Sequence, residues 1–211
     1  MSAGYELPKK LLVHGYLTFK GQKISKSLGN VINPLILVEK FSADSVRYSL
    51  LRCSVFEDSD YSEETLIERH NNELANKLGN LVSRVSALAE KYEIEKTENK
   101  LLKRLKLKEI EKHFKNFELD KTLNEIFAFI DVCNEYVQVN ELWKTGDKKK
   151  LYEIVDSIKA IAILLWPFMP SSCEKIAEQF GFSVGKNTFK NIEKPILIKK
   201  IKKGEILFRK I

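Results

Sequence analysis

The sequence predicts a mainly α-helical protein, a helical bundle preceded by a short extended region and followed by a short extended segment. Three observations carry this. Apolar residues recur at steps of three, four and seven to eight over long stretches between 62 and 180, the period of amphipathic helices. Those stretches are bounded by capping residues and joined by short links, which suits helices packed side by side. Strand-like alternation is confined to the first 20 residues and to short apolar runs after Gly185. An apolar content of 44% is enough to build a buried core.

In chain order, Leu11-Leu12-Val13 reads as a strand and Tyr16 to Phe19 as a second extended piece, with a turn at Lys20-Gly21-Gln22. Asn33-Pro34 supplies an N-cap and a proline at the first helical position, so Leu35 to Phe41 is a short helix. Ser42 caps another, with Asp44 in its first turn, Val46, Leu50 and Leu51 on its buried face, and Asp44 with Arg47 as an exposed i,i+3 pair. Glu57 to Asp60 reads as a polar break and domain boundary. Ser62 then caps a long helix running to Tyr92, with Leu66, Leu74, Leu78, Leu81, Val85 and Leu88 inside. Residues 93–104 form a charged loop opening into a helix. Leu119 to Val139 and Leu151 to Leu165 are the next clear helices. Pro167 and Pro170 stop the latter, and Ser171 or Ser172 starts a short helix that Gly181 ends. Pro195 to Ile201 and Glu205 to Phe208 read as an extended return or hairpin.

Composition excludes several classes. No apolar run is long enough to cross a bilayer, and Met1 to Tyr5 has no signal-peptide pattern. Cys53, Cys133 and Cys173 are scattered and odd in number, which fits a reducing cytoplasm and neither a disulfide framework nor a metal site. The net charge of +7 is carried entirely by residues 186–211; the rest sums to zero. Any contact with a polyanion is therefore local.

Chemistry concentrates in Gly21-Gln22-Lys23-Ile24-Ser25-Lys26-Ser27-Leu28-Gly29-Asn30. Two lysines and two serines between glycines suit a mobile loop that meets a polyphosphate; composition alone fits a solvated turn equally well. Asn80 and Arg84 share one helix face, where they can meet base edges or simply face water. Trp143, near Lys144 and Lys148 to Lys150, is either a stacking platform for an unpaired base or a boundary residue.

The exact words add a resemblance. Lys23-Ile24-Ser25-Lys26-Ser27 resembles the KMSKS signature of class I aminoacyl-tRNA synthetases, with Ile24 at the usual Met. Val13-His14-Gly15-Tyr16-Leu17-Thr18 and Ser27-Leu28-Gly29-Asn30-Val31-Ile32 resemble the methionyl-tRNA synthetase family in particular. So do Gly79-Asn80-Leu81-Val82-Ser83-Arg84, Asn134-Glu135-Tyr136-Val137 with Leu142-Trp143, Pro167-Phe168-Met169-Pro170, and the closing Leu207-Phe208-Arg209-Lys210-Ile211. Ala43-Asp44 with Arg47-Tyr48 is similar to a segment that follows KMSKS in several class I enzymes. Leu142 stands where that family usually has Pro.

The resemblance implies that residues 1–33 close a Rossmann-like catalytic domain with the last strand and signature loop. Residues 34–60 form a helical stem-contact connector, 61–185 an anticodon-binding bundle, and 186–211 a basic return whose end packs toward the loop. It implies catalytic roles for Lys26 and Lys23, ATP binding by Lys23, Ser25, Lys26 and Ser27, and reading of the CAU anticodon by Asn80, Arg84 and Trp143. ATP with Mg2+ enters as substrate, and no metal is bound by this chain. The HIGH signature is absent; His14-Gly15 is not part of it. The expected function is that of a C-terminal subunit or fragment of a methionine–tRNA ligase. It acts with tRNA(Met) and an upstream catalytic half and is not active alone. The alternative is a free-standing tRNA-binding module. The expected location is cytoplasmic, with no DNA or membrane partner.

Overall fold

The computed structural model describes residues 4, 6–185, 188–197 and 201–211. It begins with a small mixed sheet. β1 (Leu17–Phe19) pairs antiparallel with β2 (Gln22–Lys23) and parallel with β3 (Ser59–Tyr61). The hairpin loop is Lys20-Gly21, both at positive φ (52° and 71°), the geometry that matches strand twist in a two-residue turn. Two expectations change here. Leu11 to Val13 is exposed and forms no strand, because no strand among the described residues offers it a ladder. The polar stretch at 57–60 is not wholly irregular: Ser59 and Asp60 lie in β3, and alternate side chains leave Asp60 exposed and Tyr61 buried. Gly15 is required by packing, since a Cβ there would lie 2.1 Å from the Glu57 carbonyl oxygen.

Two short helices cross from the signature loop to β3. α1 (Pro34–Phe41) is capped by the Asn33 side chain and α2 (Ala43–Leu51) by Ser42. Leu37, Phe41, Val46, Tyr61 and Leu66 form a small core beneath the sheet, with Phe19 and Ile32 against it. The buried face of α2 is the expected one only in part: Val46 is buried and Leu51 packs against the main core. Leu50 is exposed, whereas Asp44, Ser45, Tyr48 and Ser49 are buried. Nor are Asp44 and Arg47 a surface pair, for both bind the bundle.

The long helix comes in three parts: α3 (Glu63–Arg69), a π-helical stretch (His70–Gly79) and α4 (Asn80–Lys91). Ser62 caps it as expected. The π winding, which the apolar period did not reveal, begins at His70 and Asn71, where the end of the chain binds. α5 (Leu107–Lys115) and α6 (Leu119–Val139) follow, then α7 (Leu142–Thr145), α8 (Lys148–Leu165) and α9 (Pro170–Phe180). α6 has the bounds its apolar pattern predicts. α8 starts three residues early because Asp147 caps it, accepting from the Lys149 and Lys150 amides. Leu74, Leu78, Leu81 and Val85 meet Ile126, Ile130 and Val137 of α6 and Ile154, Ile158, Ile161 and Leu165 of α8 in one large core.

The α8–α9 corner explains the Asp-x-x-Arg pattern. Asp44 Oδ2 accepts a 2.6 Å hydrogen bond from the Ser172 amide, capping α9 from another element. Arg47 donates through Nε to the Phe168 carbonyl (3.0 Å) and through Nη2 to the Pro167 carbonyl (2.8 Å). An anion thus meets the N-terminus of α9 and a cation the carbonyls that follow α8, the pairing that helix dipoles favour. A cap of this kind contributes about 1 kcal/mol.

A second clamp joins α2 to the π-helical stretch. Arg52 holds Glu73 through Nε (3.1 Å) and Nη2 (2.6 Å), and the Tyr48 hydroxyl donates to Glu73 Oε2 (2.5 Å). Burial pushes the Glu73 carboxyl up, but the bonds from Arg52 and Tyr48 outweigh it and hold it below its ordinary value. A depressed carboxyl stabilises the fold above its unfolded pKa, and that contribution is lost as pH falls through the folded value. Glu73→Gln is therefore expected to lower unfolding stability at pH 7 by about 2 kcal/mol. The gap from the unsubstituted chain should shrink on acidification below about pH 4. Urea unfolding at the two pH values measures it, and an equal gap at both would remove Glu73 from the account.

The tail makes an extended return, not a hairpin, among the described residues; 198–200 of the Pro195 to Ile201 stretch lie outside them. Asp156, buried on α8, pairs with Lys159 and accepts from the Ile196 amide, fastening the return to the core. The end makes no hydrogen bond to the signature loop among the described residues and is held by the long helix instead. Phe208 lies edge-on against His70, whose Nε2 bonds the Arg209 carbonyl (2.7 Å), and Asn71 exchanges two hydrogen bonds with Ile211. The target is the long helix, because His70 and Asn71 can satisfy the last backbone groups.

Candidate tRNA and nucleotide interface

Two regions carry the residues singled out by sequence, and no hydrogen bond or ion pair joins them among the described residues. The first is the signature loop. After β2 the chain passes through Ile24 and Ser25 into a single 3-10 turn, Lys26–Leu28, which Gly29 ends at φ 65°. The Ser25 and Ser27 hydroxyls bond each other at 2.7 Å. Lys23 and Lys26 are exposed and belong to none of the ion pairs among the described residues. The root of the loop is held by Asp60, whose Oδ1 accepts from Thr18 Oγ1 (2.7 Å) and the Gly21 amide (3.0 Å). These bonds keep the Asp60 carboxyl below its ordinary value.

The second region runs along α4 and α6. Asn80 and Arg84 are exposed on one stripe of α4. Asn80 Nδ2 donates to the Asn76 carbonyl (2.9 Å), leaving its Oδ1 with no partner among the described residues. Arg84 Nη2 donates to Asn134 Oδ1 at 2.5 Å, and Asn134 Nδ2 is spent on the Lys77 and Ile130 carbonyls. Asn134 therefore fixes one edge of the guanidinium and leaves the rest for a partner. The sequence alone assigns Asn134 no role; its signal is the i+4 position above Ile130 on the face of α6 toward α4.

Trp143 sits on α7, 39% exposed. Glu141 turns the chain at φ 42°, Leu142 is fully buried in the main core, and Gly146 at φ 55° ends the turn. Leu142 thus anchors the turn that presents Trp143. The Tyr92 ring packs where a Cβ on residue 146 would clash at 2.8 Å, and its hydroxyl donates to the Trp143 carbonyl (3.3 Å). The long helix thereby braces Trp143 from below while presenting Asn80 and Arg84. The nearby lysines are less free than their sequence suggests. Lys144 pairs with Glu141, Lys148 with Glu93, Lys149 with Glu95 and Lys150 with Asp147. Exposed pairs of this kind are weak, about 0–1 kcal/mol, and phosphates can replace the carboxylates.

Comparison with known proteins decides the family. Residues 1–86 match the family described as tRNA synthetases class I (M), and residues 98–205 match the anticodon-binding domain of tRNA ligase. The chain belongs to the methionyl-tRNA synthetase family. It carries the end of the class I domain and the anticodon-binding domain of that family. It is 35% identical to the methionine–tRNA ligase of Caldanaerobacter subterraneus subsp. tengcongensis over 100% of this chain and 36% of that protein. It is 34% identical to the Thermotoga maritima enzyme over 100% of this chain and 37% of that protein. The fold matches Mycobacterium tuberculosis methionyl-tRNA synthetase in complex with methionyl-adenylate, with a TM-score of 0.87 at 28% identity over 98% of this chain and 45% of that one. The apo form of the same enzyme gives 0.85 at 25% identity, again over 45% of its length. The chain therefore spans less than half the length of these methionyl-tRNA synthetases. The signature loop, Asn80 and Arg84 lie inside the class I match, and Trp143 inside the anticodon-binding match.

Among the described residues, no group of three His, Cys, Asp or Glu side chains is placed to hold a metal, and no helix is long and apolar enough to cross a membrane. Cys133 and Cys173 are buried, and burial pushes both thiols up.

Proposed function

We propose that this chain binds the CAU anticodon of tRNA(Met) and lends its signature loop to ATP-dependent methionyl-adenylate formation in an upstream catalytic half. The observation that carries the reading is the preorganised set on α4 and α7. Asn80 offers an unengaged carbonyl oxygen, Arg84 is held by one edge on Asn134, and Trp143 is exposed on a buried anchor. An amide oxygen and an oriented guanidinium suit base edges, and the indole face suits stacking on a splayed base. Residues 61–185 act as the anticodon-binding unit, 34–60 as the connector, 1–33 as the part shared with the catalytic half, and 186–211 as the basic return.

At the loop, the methionine carboxylate attacks the α-phosphorus of Mg-ATP, the bond to the β-phosphate oxygen breaks, and pyrophosphate leaves. Phosphoryl chemistry of this type depends on position and charge stabilisation. Lys26, aided by Lys23, stabilises charge on the departing β,γ-phosphates, and the Ser25 and Ser27 hydroxyls would exchange the bond they make to each other for bonds to the phosphate oxygens. Both lysines are exposed and in no ion pair among the described residues, which leaves their charge available to a phosphate and supports this reading. A direct test is the affinity of this chain for a CAU stem-loop hairpin against the same hairpin with altered anticodon bases. Tighter binding of CAU by roughly 10-fold per base changed is expected. Equal binding would leave a nonspecific RNA surface in place of an anticodon reader.

A further inference from the structure

We infer that Asn30 is the positioning residue that sets the two signature-loop lysines as a pair. The inference rests on the reading of Lys23 and Lys26 given above and adds a residue that reading does not use. Gly29, in the left-handed region, folds the chain back after the 3-10 turn. Residue 30 thereby returns to the start of the loop. There its carboxamide bonds two backbone groups at once: Oδ1 accepts from the Ser25 amide at 2.8 Å, and Nδ2 donates to the Lys23 carbonyl at 3.1 Å. The two bonds run in opposite directions, so they fix which end of the amide faces which group. Around the same tie, the Leu28 amide bonds the Ser25 carbonyl (3.2 Å) and the Gly29 amide bonds the Lys26 carbonyl (3.2 Å).

The consequence is geometric. The Asn30 amide bridges Lys23 to Ser25, and the 3-10 turn that starts at Lys26 is built on Ser25. The backbones of Lys23 and Lys26 therefore cannot move apart without breaking a bond to Asn30. A loop built from glycine, serine and lysine has little burial of its own to define its shape; Lys23, Lys26, Ser27, Leu28 and Gly29 are all exposed. With Asn30 in place, the backbone that carries both lysines meets the phosphates as one preset unit, and only the side chains remain to be ordered in the transition state.

Aspartate at position 30 is the discriminating substitution. It has the same size and keeps the acceptor for Ser25, but it replaces the donor to the Lys23 carbonyl with a second oxygen. The experiment measures methionine-dependent ATP–pyrophosphate exchange by this chain combined with an upstream catalytic half, for the unsubstituted chain, Asn30→Asp, Asn30→Ala and Lys26→Ala. CAU hairpin affinity in the same samples reports that the bundle is folded. Asn30→Asp and Asn30→Ala should each lower kcat by about 10- to 100-fold, with KM for methionine and hairpin affinity unchanged. Unsubstituted kcat in both, alongside a slow Lys26→Ala, would overturn the role of Asn30 and leave the loop reading intact. An unsubstituted rate in Lys26→Ala would instead remove the loop reading, and this inference with it.

Discussion

Lys26→Ala is expected to slow methionyl-adenylate formation by on the order of 10²-fold in the assembled enzyme. Binding of a CAU hairpin should be unchanged. The argument is electrostatic. Pyrophosphate departure builds negative charge that water would otherwise stabilise by reorganising around it. A lysine already placed at the end of a mobile loop supplies that stabilisation when the loop closes. Lys26 is exposed and in no ion pair among the described residues, so its charge is not already spent inside the chain. Hairpin affinity is insulated because Asn80, Arg84 and Trp143 share no hydrogen bond with the loop. Pre-steady-state adenylate formation and hairpin titration on the same preparation check both halves. Loss of hairpin binding in Lys26→Ala would mean that the two regions are not separate.

Trp143→Ala should weaken CAU hairpin binding by about 1–3 kcal/mol, roughly 5- to 160-fold in Kd. Its indole is partly exposed, so its removal opens no core cavity, while Leu142 beside it stays in place as the anchor. Folding stability should therefore change little, and the loss should appear in affinity. Phe at 143 should recover part of the binding, because an aromatic face is what stacks. A thermal midpoint that fell along with affinity would make Trp143 a structural residue.

The legibility of the chain follows from where its contacts lie. α6 was readable to its ends because its inward positions, from Leu123 through Ile126, Phe127, Ile130 and Cys133 to Val137, are apolar without interruption. α2 misled for the opposite reason. Its buried side chains include Asp44, Ser45 and Ser49, and Asp44 is inside only because the Ser172 amide, 128 residues away, needs a cap. Nothing local announces such a partner. The π-helical winding is invisible for a related reason. Leu74 and Leu78 satisfy the α period, while the groups that accompany the change, at Arg209 and Ile211, lie about a whole domain away in sequence.

The candidate site divides in the same way. The loop lysines and the Asn80, Arg84 and Trp143 set were readable from their words. Their supports, Asn30, Asn134 and Tyr92, came into view only through geometry. Asn30 and Tyr92 bond backbone groups, which carry no sequence signature, and Asn134 meets Arg84 from another helix, 50 residues away. Leu11 to Val13 fails as a strand since an apolar run favours extended chain but a strand also needs a neighbour. The three residues keep their apolar character and stay exposed, consistent with the proposed catalytic half supplying that neighbour.

The most direct measurement is methionylation of a CAU-anticodon tRNA by this chain alone and mixed with a separately produced upstream catalytic half. The account predicts charging in the mixture and none by the chain alone. Charging by the chain alone would contradict it by placing a methionine and adenylate site within these 211 residues. No charging in a mixture that still binds CAU hairpins would contradict the loop's proposed role and leave an RNA-binding module.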